Sequence, residues 1–284
     1  MNKKQITLIV ATLAVVGYLY SLPVKGLIKA SEPHDKAASS APVAGKAALN
    51  VNAATVSEPA RAAIGEGLAA TIIKLEEELA NASSDADKVS IQKKLAKQWE
   101  DVNQPAPAAF YYQAVARKDN SFDAWLSAGN RFNDAVKLEQ DTAIAPAFVT
   151  GAVEAFKGAL KLKPENLEAK TGLGVAYANG GASSPMQGIT LLREVIAKDP
   201  KNLSANLNLG LLSMKSGQYD KAVDRFKTVI SVKPSIESYF YLAETYKQLG
   251  RKTEAVAAYE KCKDLIPDPV FGKRIDQYIK ELKN

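Results

Sequence analysis

The sequence predicts an all-α fold: a solenoid of antiparallel helix pairs, preceded by an N-terminal transmembrane helix and closed by a C-terminal capping helix. Three observations carry that expectation. A pattern of small, ring and proline residues recurs every 33 to 36 residues through the C-terminal half. Residues 5–24 form an apolar run without a single charge. Between the two lies a stretch rich in Ala, Ser, Pro, Val and Asn with no sustained period.

The run QITLIVATLAVVGYLYSLPV follows Lys3 and Lys4, with residues 1–4 as a short tail. About 20 apolar residues at 1.5 Å rise match a hydrocarbon core near 30 Å thick. Tyr18 and Tyr20 lie toward its far end, where amphipathic rings favour the membrane interface. A cleaved signal peptide is the competing reading. The run is long for one, and no small-x-small cleavage site precedes Lys25, so an anchor is expected. Lys3 and Lys4 argue for a cytoplasmic N-terminus, although Lys25 and Lys29 weaken the asymmetry. In a bacterium, everything after the span would then face the periplasm.

Residues 25–56 read as a flexible tether, since they bury too little to offset the entropy of ordering. Six lysines against Glu32 and Asp35 give the first 55 residues +4 of the chain's +6. The remainder is nearly neutral and offers little counterion release, so nucleic acid is not an expected partner.

An amphipathic helix is expected over 57–82. Ser57 would cap it, with Glu58 and Pro59 in its first turn. Ile64, Leu68, Ile72, Leu75 and Leu79 follow at helical spacing and form one apolar stripe. That stripe would pack on the first repeat or pair with a second copy as a short coiled coil; the seam is little more than two heptads long, which favours the first.

Five repeats fill 88–269. The clearest hold Leu173, Gly174, Tyr177, Gly181, Gly188, Leu192 and Pro200, then Leu209, Gly210, Gly217, Ala222, Phe226 and Pro234, then Leu242, Ala243, Tyr246, Gly250, Ala255, Tyr259 and Pro267. Two degenerate units precede them. The first has Leu95, Ala96, Trp99, Ala108, Tyr112 and Val115, with Asn120 where a proline is expected. The second has Trp125, Ala128, Gly129, Phe132, Ala152, Phe156, Ala159 and Pro164, interrupted by an insertion of about eleven residues within VKLEQDTAIAPAFVT. A smaller insertion lies at 180–185. Small residues let paired helices approach, the ring or Leu fills the space between them, and proline stops the trailing helix. Residues 270–284 place Phe271, Ile275, Tyr278, Ile279 and Leu282 among charged residues, as an end-capping helix requires.

This pattern resembles the tetratricopeptide repeat, whose period is about 34 residues. The resemblance implies a non-enzymatic protein-interaction scaffold whose leading helices line a concave groove for a peptide or partner helix. It is also similar to single-span, membrane-anchored bacterial proteins of this kind that face the periplasm. That comparison keeps a second reading open, an assembly subunit of an envelope enzyme complex such as the cytochrome c or haem-attachment machinery.

Reaction chemistry finds no foothold. His34, the sole histidine, lies in the tether, and Cys262, the sole cysteine, falls at a packed position of its repeat. No Ser-His-Asp or Cys-His pairing follows from those positions, and no cofactor or metal is expected. Gly172-Leu-Gly174 follows no strand and so is not a dinucleotide loop. Trp99 and Trp125 sit at helix-packing positions and are expected in the core.

Carrying the family's groove positions over gives Lys93 and Lys97, then Leu126, Asn130 and Asn133, then Glu168, Thr171 and Val175. Leu207, Leu211 and Met214 follow in the fourth repeat, and Phe240, Glu244 and Lys247 in the fifth. The family's carboxylate clamp does not carry over, because Leu126 and Glu168 stand where cations belong. Leu207, Leu211, Met214 and Phe240 make the expected groove apolar, suited to an amphipathic helix.

Overall fold

A computed structural model describes residues 50–180, 185–266 and 268–283. The predicted anchor and most of the tether lie outside the described residues, as do Gly181 and Pro267 of the repeats. Among the described residues, no helix is long and apolar enough to cross a membrane, and all thirteen elements are α-helices.

The described chain falls into two compact units, 50–233 and 234–283. The first begins earlier than the sequence suggests. Helix α1 spans Ala53–Ile64, so it begins inside the segment read as tether and runs on into the expected helix, and Ser57 is not its cap. Asn52 supplies the start instead: its Oδ1 accepts from the Thr55 N–H at 3.1 Å, and the Thr55 hydroxyl accepts from the Asn52 N–H at 2.9 Å. This reciprocal box satisfies two of the donors that a helix start leaves open. Ser57 is fully buried, and Pro59 sits in the helix interior, where it removes one hydrogen bond.

Nor is 57–82 one helix. Gly65, at φ 79°, breaks it, and α2 runs Glu66–Asn81. The break rotates the buried face, so Leu68 is 55% exposed while Ala69 and Ile72 are covered. With Leu75 and Leu79, Ile72 packs into a cluster built on Leu95, Ala96, Trp99, Ala108 and Tyr111. Helix α2 therefore docks on the first repeat, the first of the two packings its stripe allowed. The Arg61–Glu76 ion pair joins α1 to α2, and the Tyr111 hydroxyl donates to Glu76 at 3.2 Å.

Four helix pairs follow in this unit: α3 (Asp85–Asp101) with α4 (Pro105–Asp119), and α5 (Phe122–Leu138) with α6 (Ala145–Leu162). Then come α7 (Leu167–Asn179) with α8 (Pro185–Lys198), and α9 (Leu203–Lys215) with α10 (Tyr219–Val232). Successive pairs stack through α4 on α5, α6 on α7 and α8 on α9. Phe156, Leu192 and Phe226 are fully buried between their pairs, as the repeat logic requires. In the first repeat the ring that fills this space is Tyr111; Tyr112 is half-buried and donates to Glu100 at 3.0 Å.

The insertion in the second repeat is taken up largely by helices. It lengthens α5 and α6, and only 139–144 remain between them. Phe148, contributed by the lengthened α6, is buried beside Phe110 and Phe132, with ring centroids 6.2 and 6.4 Å away. The added residues thus bring their own apolar anchor.

The 234–283 unit holds α11 (Ile236–Gln248), α12 (Lys252–Leu265) and α13 (Pro269–Lys283). Helix α13 caps it, burying Phe271, Ile275, Ile279 and Leu282. Tyr278 of α13 stacks on Tyr259 at 5.6 Å and meets Phe240 edge-on at 5.8 Å.

Candidate functional site

Helices α5 and α7 are the leading helices of neighbouring repeats and lie side by side. Trp125, Ala128 and Phe132 turn one face of α5 into the core, so the opposite face carries Asn130, Asn133, Asp134 and Lys137. On α7, Ala169, Leu173 and Ala176 are buried, and Glu168, Thr171, Gly172 and Val175 face the same space as the α5 set. The chain entering α9 closes the third side with Asp199, Lys201, Asn202 and Ser204. The result is a cavity of about 610 Å³ lined mostly by polar side chains, with Val175, Leu203 and Val232 supplying apolar wall.

Its walls are tied together by hydrogen bonds one helical turn apart. Asn130 Nδ2 donates to Glu168 Oε1 at 2.9 Å, and Asn133 Nδ2 donates to the Gly172 carbonyl at 2.9 Å. The Thr171 hydroxyl donates to the Leu167 carbonyl at 2.7 Å. Arg131 and Lys137 both reach Asp134, at 3.1 Å each, and Arg131 also lies 3.8 Å from Glu100. Asn133 is 7% exposed, and its Oδ1 has no hydrogen-bond partner.

Two repeats of the array match the sequence model of the tetratricopeptide repeat, at residues 203–236 and 236–269. Residues 203–269 are tetratricopeptide repeats. The Caenorhabditis elegans BBSome complex member bbs-4 is 31% identical over 83 residues, which cover 29% of this chain and 18% of that protein. The peroxisomal targeting signal receptor of Candida albicans is 26% identical over 202 residues, covering 56% of this chain and 32% of the receptor. The chain spans less than a third of the length of either relative. Among solved structures, TTC0263, a thermophilic tetratricopeptide repeat protein from Thermus thermophilus, superposes with a TM-score of 0.52. At 20% identity over 66% of this chain and 97% of that one, the likeness is one of fold.

The expected groove residues divide among different environments. Asn130, Asn133 and Val175 line the cavity together with Glu168 and Thr171. Leu126 is half-buried against the core of its unit. Leu207 and Leu211 are half-buried and Met214 is buried, and none of the three lines the cavity. Phe240 is buried among Tyr241, Tyr259 and Tyr278, so it is a packing residue of the C-terminal unit rather than an open apolar surface. Glu244 is also buried and accepts a hydrogen bond from the Tyr259 hydroxyl, while Lys247 is half-buried. Lys93 pairs with Asp119 at 2.5 Å and Lys97 with Asp101 at 2.9 Å, outside the cavity.

This cavity is lined mostly by polar side chains, where the sequence pointed to an apolar groove. Sequence reasoning missed Arg131, Asp134 and Lys137, along with Asp199, Lys201, Asn202 and Ser204. Asp199, Lys201 and Asn202 belong to the segment between α8 and α9, and Ser204 to the first turn of α9. Their signal was Asn202, which caps α9 by accepting from the Ala205 N–H at 3.0 Å, and which holds that segment in place.

Proposed function

We propose that this protein is a non-enzymatic scaffold, tethered to a membrane by residues 5–24, that holds a peptide segment of a partner protein in the cavity between α5, α7 and the start of α9. One observation carries the binding site. Polar side chains from neighbouring leading helices converge on a space of about 610 Å³ that the described residues leave unfilled. Repeats of this family mediate protein–protein interactions, and the cavity's hydrogen-bonding lining suits a peptide main chain. The anchor is supported by 20 charge-free residues after Lys3 and Lys4. With a cytoplasmic N-terminus, the repeats face the periplasm of a bacterial cell. A tether then keeps the array concentrated near membrane-associated partners. The near-neutral charge beyond residue 55 supports a protein partner over a nucleic acid.

A photocrosslinking side chain placed at Lys137 in native membranes tests the cavity. A discrete adduct is expected, and it disappears when Asn130→Trp fills the space. An adduct unaffected by Asn130→Trp sinks the cavity as the binding site. Membrane attachment is read separately, by carbonate extraction and by maleimide labelling of a cysteine introduced within 37–45.

A further inference from the structure

The hydrogen bonds already made inside the cavity specify what kind of group it accepts. Asn130, Asn133 and Thr171 each commit a donor within the chain: one Asn130 N–H is on Glu168, one Asn133 N–H is on the Gly172 carbonyl, and the Thr171 proton is on the Leu167 carbonyl. Both asparagine orientations follow from chemistry, since a carboxylate and a carbonyl can only accept. Beside the second N–H of each amide, these residues keep acceptors: two carboxamide oxygens, the Thr171 oxygen and the second oxygen of Glu168. The Asn133 oxygen is the sharpest case. It belongs to a side chain more than nine-tenths buried and has no partner, a condition that native proteins rarely tolerate.

The charges point the same way. Arg131 and Lys137 are directed onto Asp134, with Glu100 near Arg131. Asp199 takes only neutral donors, the Lys201 N–H and the Asn202 amide, at 3.2 Å each. Among the described residues no cation pairs with Glu168 or Asp199. The lining's three cations, Arg131, Lys137 and Lys201, match its three carboxylates in number, but two of them gather on Asp134, and the ammonium of Lys201 is left without a carboxylate partner among the described residues.

Glu168, which meets no cation among the described residues, and the unpartnered Asn133 oxygen one turn beyond Asn130 call for a donor-bearing cation at that wall of the cavity. Resting on the peptide-binding reading above, we propose that the cavity selects a basic side chain, Arg or Lys, of the bound peptide. Arginine and lysine carry donors and no acceptors. A guanidinium can meet the Glu168 carboxylate while its remaining N–H groups reach the asparagine oxygens. An acidic side chain or a terminal carboxylate would instead set acceptor against acceptor.

The test uses the full-length chain in detergent micelles and fluorescein-labelled peptides on one Ala/Leu/Ser/Gly background. Only the central residue changes: Arg, Lys, citrulline or Glu. Fluorescence anisotropy should show Arg and Lys binding at least about tenfold tighter than citrulline and Glu, the scale of one charge-assisted contact. Glu168→Gln keeps an acceptor for Asn130 and should erase most of that preference, whereas Lys201→Ala should enlarge it. Equal binding of all four peptides, or a preference for Glu, overturns the inference; if Asn130→Trp still abolishes that binding, the peptide scaffold survives. Failure of every peptide to bind, with no crosslink from position 137, removes both.

Discussion

Gly172 shows how tightly single residues are constrained here. It faces the cavity on one side, and on the other a methyl group added to it would lie 2.1 Å from the Phe156 ring. Phe156 is fully buried and cannot retreat. Gly172→Ala should therefore cost about 1–3 kcal/mol, the usual penalty for overpacking. Gly217 makes a useful contrast, because its φ of 73° is left-handed but nothing lies within 4 Å of the added methyl. Gly217→Ala should cost only about 1 kcal/mol of backbone strain. Chemical denaturation of the two variants checks the order; equal losses would mean that Phe156 gives way. Cys262 yields a prediction about pH. Burial pushes its thiol from 9.0 up to about 12, so the folded state keeps the proton while the unfolded chain releases it. The stabilisation is complete below about pH 9 and is lost as pH rises toward 12, at about 1.4 kcal/mol per pH unit for one group. Tyr112 is raised to about 12 by burial as well and adds to the same alkaline loss. Cys262→Ala should flatten the decline in urea midpoint between pH 9 and 10.5, and an unchanged slope would exclude the thiol as a source.

At the scale of elements, the repeat residues announced nearly every helix, and the departures trace to backbone geometry. Asn120 stands at the position of the helix-ending proline, yet it ends α4 by another route. Its φ of 47° is left-handed, and its side chain accepts from Trp125 Nε1 at 3.0 Å, linking the end of α4 to the start of α5. Restoring the consensus should therefore do harm. Proline fixes φ near −65°, so Asn120→Pro should lose about 2 kcal/mol or more, while Asn120→Gly loses only the indole contact. Thermal unfolding followed by tryptophan fluorescence separates the two; a stabilised Pro variant would contradict this reading of the turn. The same kind of geometry hid the start of the array. A single apolar stripe from Ile64 to Leu79 looks continuous in sequence, but the left-handed Gly65 splits it, and Leu68 lands in solvent. The candidate site was half legible for a comparable reason. Asn130, Asn133, Glu168, Thr171 and Val175 follow from the groove positions that the family resemblance carries over. Asp199, Lys201 and Asn202 belong to an inter-repeat segment, where no periodicity assigns a direction to the side chains, and Ser204 opens α9 just beyond it. Phe240 failed as a groove residue because spacing gives the face of a helix but not what covers it, and here Tyr278 of α13 does.

For the molecule as a whole, charge and chain organisation can be separated by one truncation. The described array starts with its own cap, the Asn52–Thr55 box of α1, and Val56 and Ala60 are buried beneath that helix. Residues 1–49 contain six lysines, Glu32 and Asp35, so deleting them lowers the formal net charge from +6 to +2. If the basic character of the protein belongs to its anchor and tether, three properties should respond differently to that deletion. The far-UV spectrum should lose only the helical signal of the anchor, and the melting temperature should stay within about 2 °C of the full-length value, because the helical core is untouched. Recovery in the carbonate-resistant membrane fraction should be lost. Any association with double-stranded DNA at low salt should fall with the six lysines removed, since such binding scales with the phosphates neutralised. A truncated array that still bound DNA with a steep salt dependence would place a basic surface on the repeats, against the near balance of acidic and basic residues beyond position 55. A large drop in melting temperature would instead show that the first 49 residues help to hold the array together.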